Sequence, residues 1–317
     1  MPHERPLRVL TWHVHGNYLY YLTQAPHQFF VVTDAHRTPG YGGLGGALPW
    51  GSNVHEVALE RLRNESFDVV LYQTRRNYDV DRLVQLSDAQ RLLPAIFLEH
   101  DPPQQHPTNT QHFVDDPAVL LVHVTHFNAL MWDSGRTPTR VIEHGVRLPH
   151  PAHYDGGLAR GIVVVNHLAR RGRRLGADVF ARARDQVPLD LIGMDAVALG
   201  GLGEIPNDAL AAFVARYRFF FNPIRYTSLG LAVIEAMMTG VPVVALATTE
   251  MATVIDDGRT GYVGTDVDEL IVRMQRLIDD PGLARRLGAA GRDYAHARFG
   301  IERFARDWDE TLRSVSG

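Results

Sequence analysis

Two segments of this chain hold residues whose types and spacing suit phosphate chemistry. The first is RFFFNPIRYTSLGLAVIEAMMTGVPVVALA, residues 218–247. It reads strand, turn, helix, turn, strand. Asn222-Pro223 closes the first strand, and Thr227 or Ser228 is suited to cap a helix running from about Leu229 through Leu231 to Thr239. Gly240, with Pro242 just beyond, supplies the stop. Thr227, Ser228, Leu229 and Gly230 are then expected to present a helix N-terminus at the carboxyl end of a strand. The backbone N–H groups and helix dipole there favour an anion. Glu235, two turns on from Ser228, is expected on roughly the same face, where a carboxylate accepts hydrogen bonds from ribose or sugar hydroxyls. The same pattern also serves an ordinary capped crossover helix, with Glu235 a solvated or paired acid. The second segment is Ala169–Asp178, in which Arg170, Arg171, Arg173 and Arg174 surround a glycine at the carboxyl end of an apolar run. Such a cluster can neutralise a diphosphate and the charge that develops as it leaves. A solvated basic turn or a nucleic-acid contact would use the same residues.

Composition narrows the chemistry further. The 317 residues include no cysteine, which excludes disulfides, thiolate metal sites and cysteine nucleophiles. All 32 basic residues are arginine, so a lysine Schiff base is excluded and any cationic phosphate contact falls to arginine or protonated histidine. A formal net charge of -4 gives no general nucleic-acid binder and no polybasic membrane patch. The start, MPHERPLRVLTWHVHG, enters a strand pattern directly with no long apolar region. No apolar stretch reaches membrane-spanning length, so a cytoplasmic protein is expected, with peripheral membrane contact still open.

Short apolar runs alternate with amphipathic stretches. Strands are expected at 7–14, 29–34, 67–73, 95–100, 118–125 and 139–146, then at 161–168, 189–194, 218–224, 242–247 and 261–264. Near-continuous Val, Ile, Leu and Phe runs suit strands buried on both faces. Intervening helices make such strands parallel, which gives a doubly wound α/β class. The segment HPAHYDGGLAR (150–160) breaks this pattern, so two domains are expected, 1–152 and 153–300, followed by an amphipathic helix at 301–317. Two such halves are expected to face each other across a cleft. His100, in Leu98-Glu99-His100-Asp101, ends a strand and is placed to face that cleft; a structural histidine is the alternative. His13, His15 and Gly16 follow the first strand, where an acceptor or sugar phosphate could bind. The run Gly40–Gly46 suggests a mobile loop, and the Asp-Val-Asp triplets at 79–81 and 266–268 read as helix N-caps and not as metal sites.

The donor-side segment resembles the motif of the family 4 retaining glycosyltransferases of GT-B fold. Leu229-Gly230-Leu231, Glu235-Ala236-Met237 and Gly240-Val241-Pro242-Val243-Val244 carry the resemblance. Leu202–Leu210, Leu191-Ile192-Gly193 and Asp257-Gly258-x-x-Gly261 resemble neighbouring family segments, so the resemblance covers about 160–300. It implies two Rossmann-like domains, with the C-terminal helix crossing back onto the first, and a nucleotide-sugar donor site in the second. The function implied is retaining, metal-independent transfer of a sugar from a UDP- or GDP-sugar to a hydroxyl of a saccharide, lipid-linked or small-molecule acceptor, with no cofactor. By resemblance Glu235 contacts the ribose, and Arg170, with Arg171 or Arg174, binds the pyrophosphate. Thr227 stands where the family has its first motif glutamate, Leu175 where it has a lysine. His100 lies near the sugar's anomeric centre. A nucleotide-sugar-binding protein without turnover and a nucleotide-sugar epimerase are the alternative functions.

Overall fold

The computed structural model describes residues 5–14, 16–45 and 48–317; His15 and Gly46 lie outside the described residues. The strands are β1 (Arg8–Thr11), β2 (Gln28–Thr33), β3 (Val54–Ala58), β4 (Val69–Tyr72), β5 (Ala95–Glu99), β6 (Val119–His123) and β7 (Thr139–Val141), then β8 (Leu158–Val164), β9 (Leu189–Ile192), β10 (Tyr217–Asn222), β11 (Val243–Leu246) and β12 (Gly261–Gly264). They form one sheet of order β3-β2-β1-β4-β5-β6-β7 and a second of order β12-β11-β10-β8-β9. Every strand pairing within both sheets is parallel. The apolar runs explain this: every residue of β4, β10 and β11 is buried, as strands covered on both faces require. This is the two-domain parallel α/β architecture of the GT-B class.

The chain divides into two compact units, Met1–Arg147 with Ile301–Gly317, and Leu148–Gly300. The division falls five residues before the expected 152/153 boundary. The Pro- and Gly-rich stretch is stitched into the second unit by backbone bonds from Tyr154 to Thr239 and from Asp155 and Gly156 to Ala215. The helix Ile301–Ser316 lies with the first unit. Phe304 fills the space beside Gly145 that a Cβ would occupy, Arg303 donates to the carbonyls of Glu143 and His144, and Trp308 is fully buried. Among the described residues no helix is long and apolar enough to cross a membrane.

Three local expectations are corrected. β3 was not expected: VHEVA has too little apolar length to stand out, because an edge strand needs only one covered face. Among the described residues, the connection from β2 to β3 contains no helix. It is tied by a Thr33–Gly42 bridge and by the Leu44 N–H on Glu56 at 2.8 Å, which argues against free movement of residues 40–45. Asp266 does cap the helix Val267–Asp279, accepting from Asp268 and Glu269 N–H, but the triplet at 79–81 caps nothing. It lies in a single π-helical turn where Asp81 accepts from the Asn77 amide and Asp79 from Arg75.

Candidate functional site

In the second unit, β10 delivers the chain into a bend at 225–228, followed by the helix Leu231–Thr239. The N-cap is Gly230, in extended conformation (φ -75°, ψ 136°), and not Thr227 or Ser228. The helix therefore starts two residues later than expected, and Ser228 lies outside it, so the helical period does not relate Ser228 to Glu235. Leu229, just before the N-cap, is buried at 6% exposure. Thr227 and Ser228 are half-buried in the bend, while Gly230 is exposed, with open space where a Cβ would stand. Gly230 carries no capping side chain, so the N-cap residue itself offers no side-chain oxygen to the first turn of the helix. That is the arrangement in which a ligand oxygen can serve. Glu235, in the middle of the helix, is 8% exposed and borders a small cavity with Val164, Leu210, Val214 and Ala232.

The arginines follow β8. His167, in left-handed conformation, leads into the helix Leu168–Leu175, which is broken at Gly172 and ends at Gly176 (φ 82°). Leu168 and Leu175 anchor it in the core at 0% and 2% exposure, so Leu175 is a packing residue. Arg170, Arg171 and Arg173 are exposed, and Arg174 is half-buried. Among the described residues, neither Arg170 nor Arg171 has an ion-pair partner. Arg174 joins the two segments. Its carbonyl accepts from Arg225 N–H at 3.0 Å and Tyr226 N–H at 3.2 Å, its Nε donates to the Tyr226 carbonyl at 3.3 Å, and its guanidinium lies 5.5 Å from the Tyr226 ring centre. Arg225 extends the cluster, donating to Asp178 at 2.8 Å and to the Arg173 carbonyl at 2.7 Å. Its hydrogen bond, followed by the charges of Arg225 and Arg173, holds the Asp178 carboxyl below its ordinary range despite some burial. Asp178 thus neutralises part of an arginine-rich surface and leaves the rest positive beside a helix N-terminus. Arg225 and Tyr226 were missed by sequence reasoning. An arginine two residues after Asn222-Pro223, at the start of the bend, was the available signal.

In the first unit, Gly16 opens the helix Gly16–Leu22. A Cβ there would stand 3.2 Å from His13 Nε2, and His13 Nδ1 meets the Gly43 carbonyl. His100 follows β5 and is half-buried. Its Nε2 is 3.2 Å from Gln73 Oε1, and its ring meets Tyr18 edge-on at 4.9 Å. The backbone around it is pinned on both sides. Glu99 accepts from Asp101 N–H at 2.8 Å, Trp132 donates to the Asp101 carbonyl at 2.8 Å, and Asn128 donates to the His100 carbonyl at 3.2 Å. Glu99 is itself held by His112 Nε2 at 3.0 Å. Among the described residues, no group of three or more His, Asp or Glu side chains is arranged to hold a metal.

At the end of the neighbouring strand β6, His123 is fully buried, and neither ring nitrogen meets a hydrogen-bond partner among the described residues. Burial, with His112 adding to it, pushes its pKa down to about 4. The unfolded chain therefore binds a proton between pH ~6.5 and that value which the native chain does not. Stability is complete above pH ~6.5 and falls as pH falls, by about 3 kcal/mol in total at ~1.4 kcal/mol per pKa unit. Urea titrations at neutral and mildly acid pH should show that His123→Leu removes this part of the acid slope; an unaltered slope would exclude His123 as its source.

Residues 176–280 match the family described as Glycosyl transferases group 1, so the second unit carries a glycosyl transferases group 1 domain. Over 100 residues, 29% of this chain and 26% of the relative, the sequence is 37% identical to a GDP-mannose-dependent alpha-(1-6)-phosphatidylinositol monomannoside mannosyltransferase of Mycolicibacterium smegmatis. Over 91 residues, 28% of this chain and 22% of the relative, it is 36% identical to an MMP alpha-(1->4)-mannosyltransferase of Mycolicibacterium hassiacum. The matched region is thus about a quarter of the length of these curated relatives. The fold is shared more widely. Sucrose-phosphate synthase from Thermosynechococcus elongatus superposes with a TM-score of 0.71 at 16% identity, covering 98% of this chain and 99% of that one. An Anabaena protein solved with UDP and glucose gives 0.65 at 14% identity, over 97% and 100%.

Proposed function

We propose that the chain is a retaining glycosyltransferase that takes a sugar from a UDP- or GDP-sugar and passes it to a hydroxyl acceptor without a metal. The observation that carries this reading is the Arg174 carbonyl holding the Arg225 and Tyr226 N–H groups, which keeps the arginine helix against the bend that precedes Gly230. A diphosphate placed there would meet guanidinium forks and a helix N-terminus together. Arg170, Arg171 and Arg174 bind it, with Ser228, Leu229, Gly230 and Leu231 offering backbone and Thr227 a hydroxyl toward the sugar. Glu235 takes the ribose hydroxyls. His100, in the first unit, keeps the sugar-end role that the family resemblance implies, and Gly16 the acceptor or sugar-phosphate role read from its place after the first strand. In the transfer the bond from the anomeric carbon to the diphosphate breaks and a bond to the acceptor oxygen forms. The departing phosphate oxygen takes the acceptor's proton, so no lysine or second carboxylate is required. The GDP-mannose dependence of the Mycolicibacterium smegmatis relative and the UDP bound by the Anabaena protein support both donor classes as candidates. A lipid-linked acceptor would bring with it a peripheral membrane contact.

A thermal-shift panel of UDP- and GDP-sugars tests this, followed by donor hydrolysis and transfer assays with and without chelator. One donor class should stabilise the protein, by about 2.7 kcal/mol at a hundredfold excess over Kd, and its turnover should survive the chelator. Arg170→Ala and Glu235→Gln should each weaken that donor about tenfold, the order expected for losing a hydrogen bond to a charged group. If both variants bind the best donor as tightly as the unaltered chain, the site is elsewhere.

A further inference from the structure

We infer that Gln73 is a positioning residue that holds His100 as its Nε2–H tautomer. Gln73 follows β4 and is buried at 4% exposure. Its side-chain nitrogen lies 2.9 Å from Thr11 Oγ1 and 2.7 Å from the Trp12 carbonyl. The Thr11 hydroxyl hydrogen is already given to the Leu71 carbonyl at 3.0 Å, so Thr11 Oγ1 accepts. A carbonyl can only accept, so both amide hydrogens of Gln73 are committed and the orientation of its amide is determined. The amide oxygen then faces His100 Nε2 at 3.2 Å. An amide oxygen cannot donate, so that ring nitrogen carries the hydrogen, and in the neutral imidazole the lone pair lies on Nδ1. The Tyr18 ring and the Asn128 bond to the His100 carbonyl fix the plane and height of the ring.

The tautomer rests on the protein alone, and only its effect on sugar transfer rests on the proposed function. Long-range proton–nitrogen spectra of the full chain labelled with 15N-histidine, taken at mildly alkaline pH without any sugar, read both ring nitrogens directly. The unaltered chain should show His100 protonated at Nε2 and bare at Nδ1. Gln73→Met, which has similar length but no amide, should give a mixture of tautomers and lower kcat by about 10- to 100-fold with little change in donor KM. Protonation at Nδ1 in the unaltered chain overturns the inference whether or not the variant folds, and so does an unchanged tautomer in Gln73→Met. Failure of the functional reading looks different. His100→Ala with undiminished transfer would remove the sugar-end role of His100 and leave the tautomer assignment intact.

Discussion

Replacing Arg174 by methionine is expected to lower kcat/KM for sugar transfer by about 10²- to 10³-fold, the cost of removing one preorganised group that stabilises charge as it develops. Methionine has similar length and takes away the guanidinium. The Arg174 side-chain bond to the Tyr226 carbonyl is lost, but the two bonds from the Arg225 and Tyr226 N–H groups to the Arg174 backbone carbonyl stay in place whatever the side chain. The fold and the position of Gly230 should therefore persist, and thermal unfolding should change little. Arg174→Lys restores the charge in a lysine-free chain but not the planar fork that pairs with two phosphate oxygens, so only part of the lost rate should return. Steady-state kinetics on the three proteins, with their melting curves, decide the matter. Equal kcat/KM for Arg174→Met and the unaltered chain would mean that this guanidinium does not meet the diphosphate.

How far the site could be read beforehand follows from what each residue's neighbours contribute. The arginine run at 170–174 and the LGLAVIEAMM helix were legible because they are contiguous, and a charge run or an apolar helix shows itself locally. β4, β10 and β11 were legible because burial on both faces leaves unbroken apolar runs. The N-cap was misplaced because Thr227 and Ser228 carry better capping side chains than Gly230, and the burial of Leu229 between them and the helix is a tertiary fact. Arg225 joins the cluster through Asp178, 47 residues away, and through the Arg173 and Arg174 carbonyls, and Gln73 meets His100 from a neighbouring strand. Neither pairing has a local signature, although a polar residue closing the apolar run VVLY marks Gln73 in hindsight.

Gly176→Ala should destabilise the protein by about 3 kcal/mol or more, placing it among the costlier single substitutions. Two costs combine. The residue sits at φ 82°, where an L side chain is strained, and the added Cβ would stand well inside contact with the Pro223 carbonyl oxygen and near its carbonyl carbon. Backbone cannot rotate away as a side chain can, so either Gly176 or the end of β10 must move. The Arg174 carbonyl and the Arg225 and Tyr226 N–H groups flank that contact, so the shift would also part the arginine helix from the bend and weaken donor binding in whatever protein remains folded. Gly230→Ala makes the contrast. Its φ of -75° suits alanine and nothing lies within 4 Å of the new methyl, so stability should change by no more than about 1 kcal/mol, the usual range for a cap. A methyl at that position costs the fold little but would stand in the path of the proposed diphosphate, so Gly230→Ala should lose donor affinity while keeping its unfolding midpoint. Urea unfolding and donor titration on both variants separate the two roles. Unimpaired donor binding by Gly230→Ala would mean that no ligand approaches the start of that helix.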